Sequence, residues 1–116
     1  MKLHELLTKE EAKKLRSFSL YPNGDWMYKD EARFHHLFRD EKELTEGVKA
    51  KRCYSYKNGD WMYVDEEEFV HLFRDCRELT EGVKAMCCWS YDGGDWEYED
   101  EAGKCYRFNK DGESIC

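Results

Sequence analysis

The sequence predicts an all-β fold: an array of antiparallel β-hairpins written in three 35-residue repeats, with a short N-terminal α-helical cap. Three observations carry this reading. The octet YKNGDWMY at Tyr56–Tyr63 recurs as YPNGDWMY at Tyr21–Tyr28 and as YDGGDWEY at Tyr91–Tyr98, so Trp26, Trp61 and Trp96 keep a spacing of 35. Such self-similarity marks units too small to bury their own apolar face, which stack on their neighbours instead. Each octet also places Asn-Gly or Gly-Gly between alternating segments, a strong short-range hairpin signal. Last, the third copy carries Asn109-Lys110-Asp111-Gly112 where a helix would otherwise run, and that is turn chemistry.

The N-terminal segment, residues 1–17, reads as a helical cap from Leu3 to Arg16. Thr8 and Glu11 have the spacing of a capping box, and Leu3, Leu6, Leu7 and Leu15 supply an apolar stripe. The repeats follow as 18–52, 53–87 and a truncated 88–116. In each, a strand leads into the Asn-Gly turn and a second strand. A two-residue loop at Asn58-Gly59 would set Tyr56 opposite Trp61 and Tyr54 opposite Tyr63, an aromatic ladder forming the core face. The second half of each copy admits two readings. Phe69, Leu72, Phe73, Cys76, Leu79 and Val83 fit a helical stripe, whereas Phe69, His71 and Phe73 alternate as in a strand. Gly103 and Gly112 bracket the third copy's counterpart and oppose a helix, so all three copies are read as a second hairpin.

Composition bounds the function. Charged residues make up 39 % of the 116 positions and mean hydropathy is −0.98, so a thin aromatic core lies under a solvated exterior. Nineteen basic against 26 acidic side chains give a net charge of −7, which repels phosphates and argues against nucleic acid and anionic membranes. No apolar run is long enough to span a bilayer, and the N-terminus has no signal-peptide pattern. A cytoplasmic chain is expected, or a secreted one if this is a fragment of a longer precursor. The six cysteines exchange with ordinary residues between copies: Phe18 stands where Cys53 and Cys88 do, and Glu41 where Cys76 does. Free thiols in a reducing compartment are therefore expected ahead of bridges, with no metal and no cofactor.

The segment around Thr45-Glu46-Gly47-Val48-Lys49-Ala50 and Asn58-Gly59-Asp60-Trp61-Met62-Tyr63-Val64-Asp65 resembles the WG (KWG) repeat. It departs from that family at Met27, Met62 and Glu97, where the family has glycine after tryptophan. This resemblance implies a β-hairpin repeat protein, bacterial in the main, with a binding role. Phe73-Arg74-Asp75-Cys76-Arg77-Glu78-Leu79-Thr80-Glu81-Gly82 and Phe108-Asn109-Lys110-Asp111-Gly112 are similar to the return segment of choline- and glucan-binding cell-wall repeats. That second resemblance implies ligand-binding aromatics.

The candidate binding residues are the repeated aromatics Tyr21, Trp26, Tyr28, Tyr56, Trp61, Tyr63, Tyr91, Trp96 and Tyr98. They are core residues first, and sugar-stacking or quaternary-ammonium platforms if some rings are exposed. His36 and His71 lie one period apart, an arrangement expected of hydrogen-bonded strand residues more than of a metal pair. Asp25, Asp60 and Asp95 read as turn residues. The chain contains no GxSxG, phosphate-binding loop, dinucleotide fingerprint or HExxH, so no catalytic residue is assigned and no enzyme is expected. The expected role is a non-enzymatic module for protein–protein interaction, the alternative being carbohydrate or choline binding. Self-association through the open C-terminal edge at Ile115-Cys116 is a further expectation.

Overall fold

Each repeat folds outward from its first turn. In the computed structural model, which describes residues 7–115, the Gly59 amide donates to the Tyr56 carbonyl (2.9 Å) and the Tyr56 amide to the Asp60 carbonyl (2.8 Å). These bonds close a three-residue loop of Lys57, Asn58 and Gly59, in which Gly59 takes the left-handed conformation at φ +98°. That is a type I turn followed by a glycine bulge, not the two-residue loop expected from Asn58-Gly59. The Asn58 side chain stabilises it by accepting from the Asp60 amide (2.8 Å).

One extra loop residue shifts the register by one, and a shift by one exchanges the faces. Trp61 pairs with Ser55 and Tyr63 with Cys53, while Tyr54 sits opposite Met62. The expected Tyr56–Trp61 and Tyr54–Tyr63 ladder is not formed. The aromatic ladder runs instead toward the next strand, where Trp61 pairs with Phe73 and Tyr63 with His71.

The strands are β1 (Ser19–Leu20), β2 (Trp26–Lys29), β3 (His35–Arg39) and β4 (Lys42–Glu43) in copy one. Copy two has β5 (Arg52–Ser55), β6 (Trp61–Val64), β7 (Val70–Arg74) and β8 (Arg77–Glu78), and copy three has β9 (Ala85–Ser90), β10 (Trp96–Asp100) and β11 (Cys105–Phe108). All pairings are antiparallel between chain neighbours, apart from a single link between β7 and β9 at Val70–Ala85. His35 and Ala50 make the same bridge one period earlier. The second half of each copy is thus strand, as the glycines of copy three indicated.

Copy one forms a four-stranded sheet, and copies two and three are joined at Val70–Ala85 into a seven-stranded one; each copy packs as a layer, and the first two have two apolar faces. On the tryptophan face of copy one, Trp26 stacks on Phe38 at 4.2 Å, and Trp61–Phe73 and Trp96–Phe108 repeat the contact at 4.3 and 4.4 Å. The reverse face carries Met27 and Leu37, or Met62 and Leu72. Met27 and Leu37 of layer one pack on Trp61, Tyr63 and Phe73 of layer two. Met62 and Leu72 of layer two pack on Trp96, Tyr98 and Phe108 of layer three. Both interlayer cores therefore join the reverse face of one copy to the tryptophan face of the next.

The first tryptophan face is closed by the N-terminal helix α1 (Lys9–Ala12), whose Ala12 packs with Leu7 and Phe18 over Trp26, Tyr28 and Phe38. The expected capping box forms: the Glu11 amide donates to Thr8 Oγ1 (3.2 Å) and the Thr8 amide to Glu11 Oε1 (2.9 Å). The helix is shorter than the Leu3–Arg16 expected, and Leu3 and Leu6 lie outside the described residues. Among the described residues no helix is long and apolar enough to cross a membrane.

Candidate functional site

The repeated turn residues form a polar clip between layers. Asp25 is buried, and Arg39 grips its carboxylate through Nε (3.0 Å) and Nη2 (2.8 Å). Arg39 Nη2 also donates to the carbonyl of Gly59 in the next layer (2.7 Å), and Ser55 of that layer donates to Asp25 Oδ2. Asn23 completes the clip by donating to Ser55 Oγ (2.6 Å) and the Tyr56 carbonyl (2.8 Å). Asp60, Arg74, Asn58, Ser90 and Gly94 repeat these bonds one period later. The buried carboxylate is satisfied on every side, as a charge in such a place must be.

His36 and His71 do not meet. Each lies between two carboxylates of its own layer, His71 Nδ1 at 2.7 Å from Glu78 and Nε2 at 2.8 Å from Asp65. Burial opposes the charge on His71, yet the bonds to Asp65 and Glu78 prevail and raise its pKa above the usual imidazole value. For His36 the bond to Glu43 is the leading cause of a raised pKa. Thr80 ties the network to the sheet by donating to Glu78 (3.1 Å) and accepting from the Leu72 amide (3.0 Å). Among the described residues no group of three or more His, Cys, Asp or Glu side chains is placed to hold a metal.

Cys53 Sγ lies 3.7 Å from His35 Nδ1, the spacing of a nucleophile and its base. Burial works against that chemistry from both sides. It pushes the Cys53 thiol up to about 12 and the His35 imidazole below its usual value, so both are neutral at pH 7. Cys76, Cys87 and Cys88 are also free of disulfides.

The nine aromatics expected as binding residues divide by depth. Trp26, Trp61, Trp96, Tyr28 and Tyr56 are buried, and Tyr21, Tyr63, Tyr91 and Tyr98 are half-buried. The exposed rings are two that the octet does not contain, Tyr54 at 42 % and Trp89 at 48 %. They stand in a column on the flank of the stack. Tyr21 meets Tyr54 edge-on at 5.4 Å, Tyr54 meets Tyr56 at 4.9 Å, and Tyr56 meets Trp89 at 5.2 Å. Tyr54, Tyr56, Lys57, Trp89, Ser90, Tyr91 and Asp92 line a groove of about 450 Å³ there. The tyrosines are fixed by the layer that follows, Tyr21 Oη donating to the Cys53 carbonyl (3.2 Å) and Tyr56 Oη to the Cys88 carbonyl (3.4 Å). The column is thus a rigid aromatic strip with a lysine and an aspartate at its rim.

A second cleft, of about 460 Å³, opens beside Trp96 and is lined by Arg74, Arg77, Tyr98, Phe108 and Lys110 among others. Trp26 and Trp61 donate their indole N–H to the carbonyls of Asp40 (3.1 Å) and Asp75 (3.4 Å). The corresponding N–H of Trp96 is buried without a partner. In layer three the longer Asn109–Glu113 turn replaces the tight return, and the Lys110 carbonyl accepts from Arg74 instead (3.3 Å).

No protein-family model and no curated protein matches the chain.

Proposed function

We propose that the chain is a non-enzymatic, WG-type hairpin repeat module that binds another protein through the aromatic flank. The observation that carries this reading is the half-exposure of Tyr54 and Trp89 in one continuous column with Tyr21 and Tyr56. Large rings held by their neighbours lose little conformational entropy on binding, and Tyr and Trp dominate the energetics of protein interfaces. The charged rim at Lys57 and Asp92 sets specificity and on-rate more than affinity. The unbridged thiols of Cys53, Cys76, Cys87 and Cys88 fit a reducing, cytoplasmic setting.

A second reading rests on the same rings. The groove has the volume of a small-ligand site, so stacking of a sugar or a choline headgroup on Trp89 is the alternative.

The test is capture of partners from a host lysate by wild type and by Tyr54→Ala/Trp89→Ala. Loss of a specific protein in the variant is expected, and equal capture by both would remove the flank from the proposal. Trp89 is the exposed one of the four tryptophans, so its emission reports the alternative directly. A saturable fluorescence change with an oligosaccharide or choline, absent in Trp89→Phe, would favour the second reading.

A further inference from the structure

The third repeat departs from the other two at four positions that the fold brings to one surface. Glu97 stands where Met27 and Met62 do, Arg107 where Leu37 and Leu72 do, Gly93 where Asn23 and Asn58 do, and Asn109 where Arg39 and Arg74 do. In layers one and two, each of these residues faces the layer that follows. Met27 and Leu37 pack on its tryptophan, Asn23 donates to its serine, and Arg39 donates to its turn carbonyl.

The residues of copy three that face the preceding layer are retained. Trp96, Tyr98 and Phe108 receive Leu72, Ser90 and the Gly94 carbonyl receive the clip, and Tyr56 reaches Cys88. The copy has kept the side that faces the preceding layer, and on the other side it retains Tyr91 and Asp95 but has lost the apolar pair and both clip donors.

We infer that the third repeat is a stop layer: its outer face refuses a further copy of the repeat and closes the stack. On that face Glu97 and Arg107 sit where methionine and leucine would contact the next tryptophan. An approaching layer would strip water from both charges without replacing it, which opposes stacking. The two charges are held within their own layer. Tyr91 Oη donates to Glu97 Oε1 (2.7 Å), and the Arg107 guanidinium lies 4.9 Å over the Tyr91 ring. Beyond them the face continues through Cys87, Glu99 and Cys105, all exposed, and it also carries Trp89, the cross-strand partner of Glu97. Neither of the two clip donors remains, since glycine has no side chain and asparagine is too short for the arginine's reach. A polar outermost unit is what a repeat array requires to stay soluble. Such a stop layer stands against the expectation of self-association at the C-terminal end, and it rests on Glu97, Arg107 and the lost clip donors rather than on what the flank binds.

The test compares the full chain with Glu97→Met/Arg107→Leu by light scattering across a wide concentration range. Wild type is expected at its 14.0 kDa monomer mass throughout, and the variant to shift toward twice that mass as concentration rises. A folded variant that stays monomeric would overturn the stop layer. So would a wild-type dimer that Glu97→Lys dissociates.

Two lengthened chains test the same point should the variant fail to fold. An extra copy of residues 53–87 inserted before residue 88 is expected to join the stack and resist protease. A second copy of residues 88–115 appended to the end is expected to be digested away. Protection of the appended copy would defeat the inference.

Discussion

His71 shows how much one position can hold. Its ring stacks on Tyr63 at 4.7 Å while its two nitrogens reach Asp65 and Glu78. The same site in copy three is Tyr106, which keeps the stack on Tyr98 at 4.9 Å and donates to Asp100 (3.1 Å). The molecule therefore contains its own uncharged substitute. Because the folded pKa of His71 is raised, its contribution is complete below about pH 6.5, the ordinary imidazole value. It is lost as pH rises through the raised value. Asp65, for which burial is outweighed by the bond to His71, is shifted down and loses its share only as pH falls through that lowered value. The His71→Tyr variant is expected to flatten the stability profile between about pH 6 and pH 9, removing on the order of 1 kcal/mol of the acid-side gain. Urea midpoints of both chains at the two pH values check this. His36 and His35 remain in both, so the difference isolates His71. An unchanged difference would mean that the imidazole is neutral across the range.

At the scale of the element, the turns decide what the strands present. Among the described residues four non-glycines have positive φ, and two of them, Arg33 (+72°) and Glu68 (+74°), occupy the position that copy three gives to Gly103 (+83°). A side chain in this left-handed region costs ~1–2 kcal/mol, partly offset by the extra chain entropy that glycine loses on folding. Arg33→Gly is expected to raise stability by ~0.5–1 kcal/mol, and thermal or urea unfolding checks it. Glu68 is the poorer choice, since it accepts from Lys51. The turns also explain how far the sequence could be read. Hairpins, period and strand assignment follow from glycine placement and repetition. Register does not, because Asn-Gly serves both a two-residue loop and the last two places of a three-residue one. Choosing the shorter loop put Tyr54 and Tyr56 across from Tyr63 and Trp61. Tyr21, Tyr56 and Tyr91 of the octet belong to the flank, but its two exposed rings, Tyr54 and Trp89, lie outside the octet for a related reason. Attention to the repeated octet favours residues that are periodic, and periodic aromatics here are the ones each layer buries. The exposed column runs Ser19, Tyr54, Trp89, changing at every copy. That change was visible in the alignment and is the signal that could have found it.

For the whole molecule, stability is a sum of layers and the junctions between them. Both ends are closed, by α1 over Trp26 and by charges on the outer face of layer three. The two internal junctions use the same parts, so weakening one should leave the other intact. Asp60 is the residue to remove. It is buried and takes both branches of the Arg74 fork together with Ser90 of layer three. Asp60→Ala leaves a half-buried guanidinium and a buried hydroxyl without their acceptor, at a cost of ~2–3 kcal/mol. In a two-state globule that loss would lower the protection of every core amide equally. In a stack it falls on the layer whose attachment is cut, because layer three touches only layer two. Hydrogen exchange of the variant is expected to accelerate by a factor of ~30–100 at the paired amides of β10 and β11. The amides of β2 and β3 should stay near their wild-type rates. Uniform acceleration across all three layers would show instead that the chain unfolds as one unit, with the link at Val70–Ala85 and the packing of Leu72 on Trp96 coupling the layers too tightly to part.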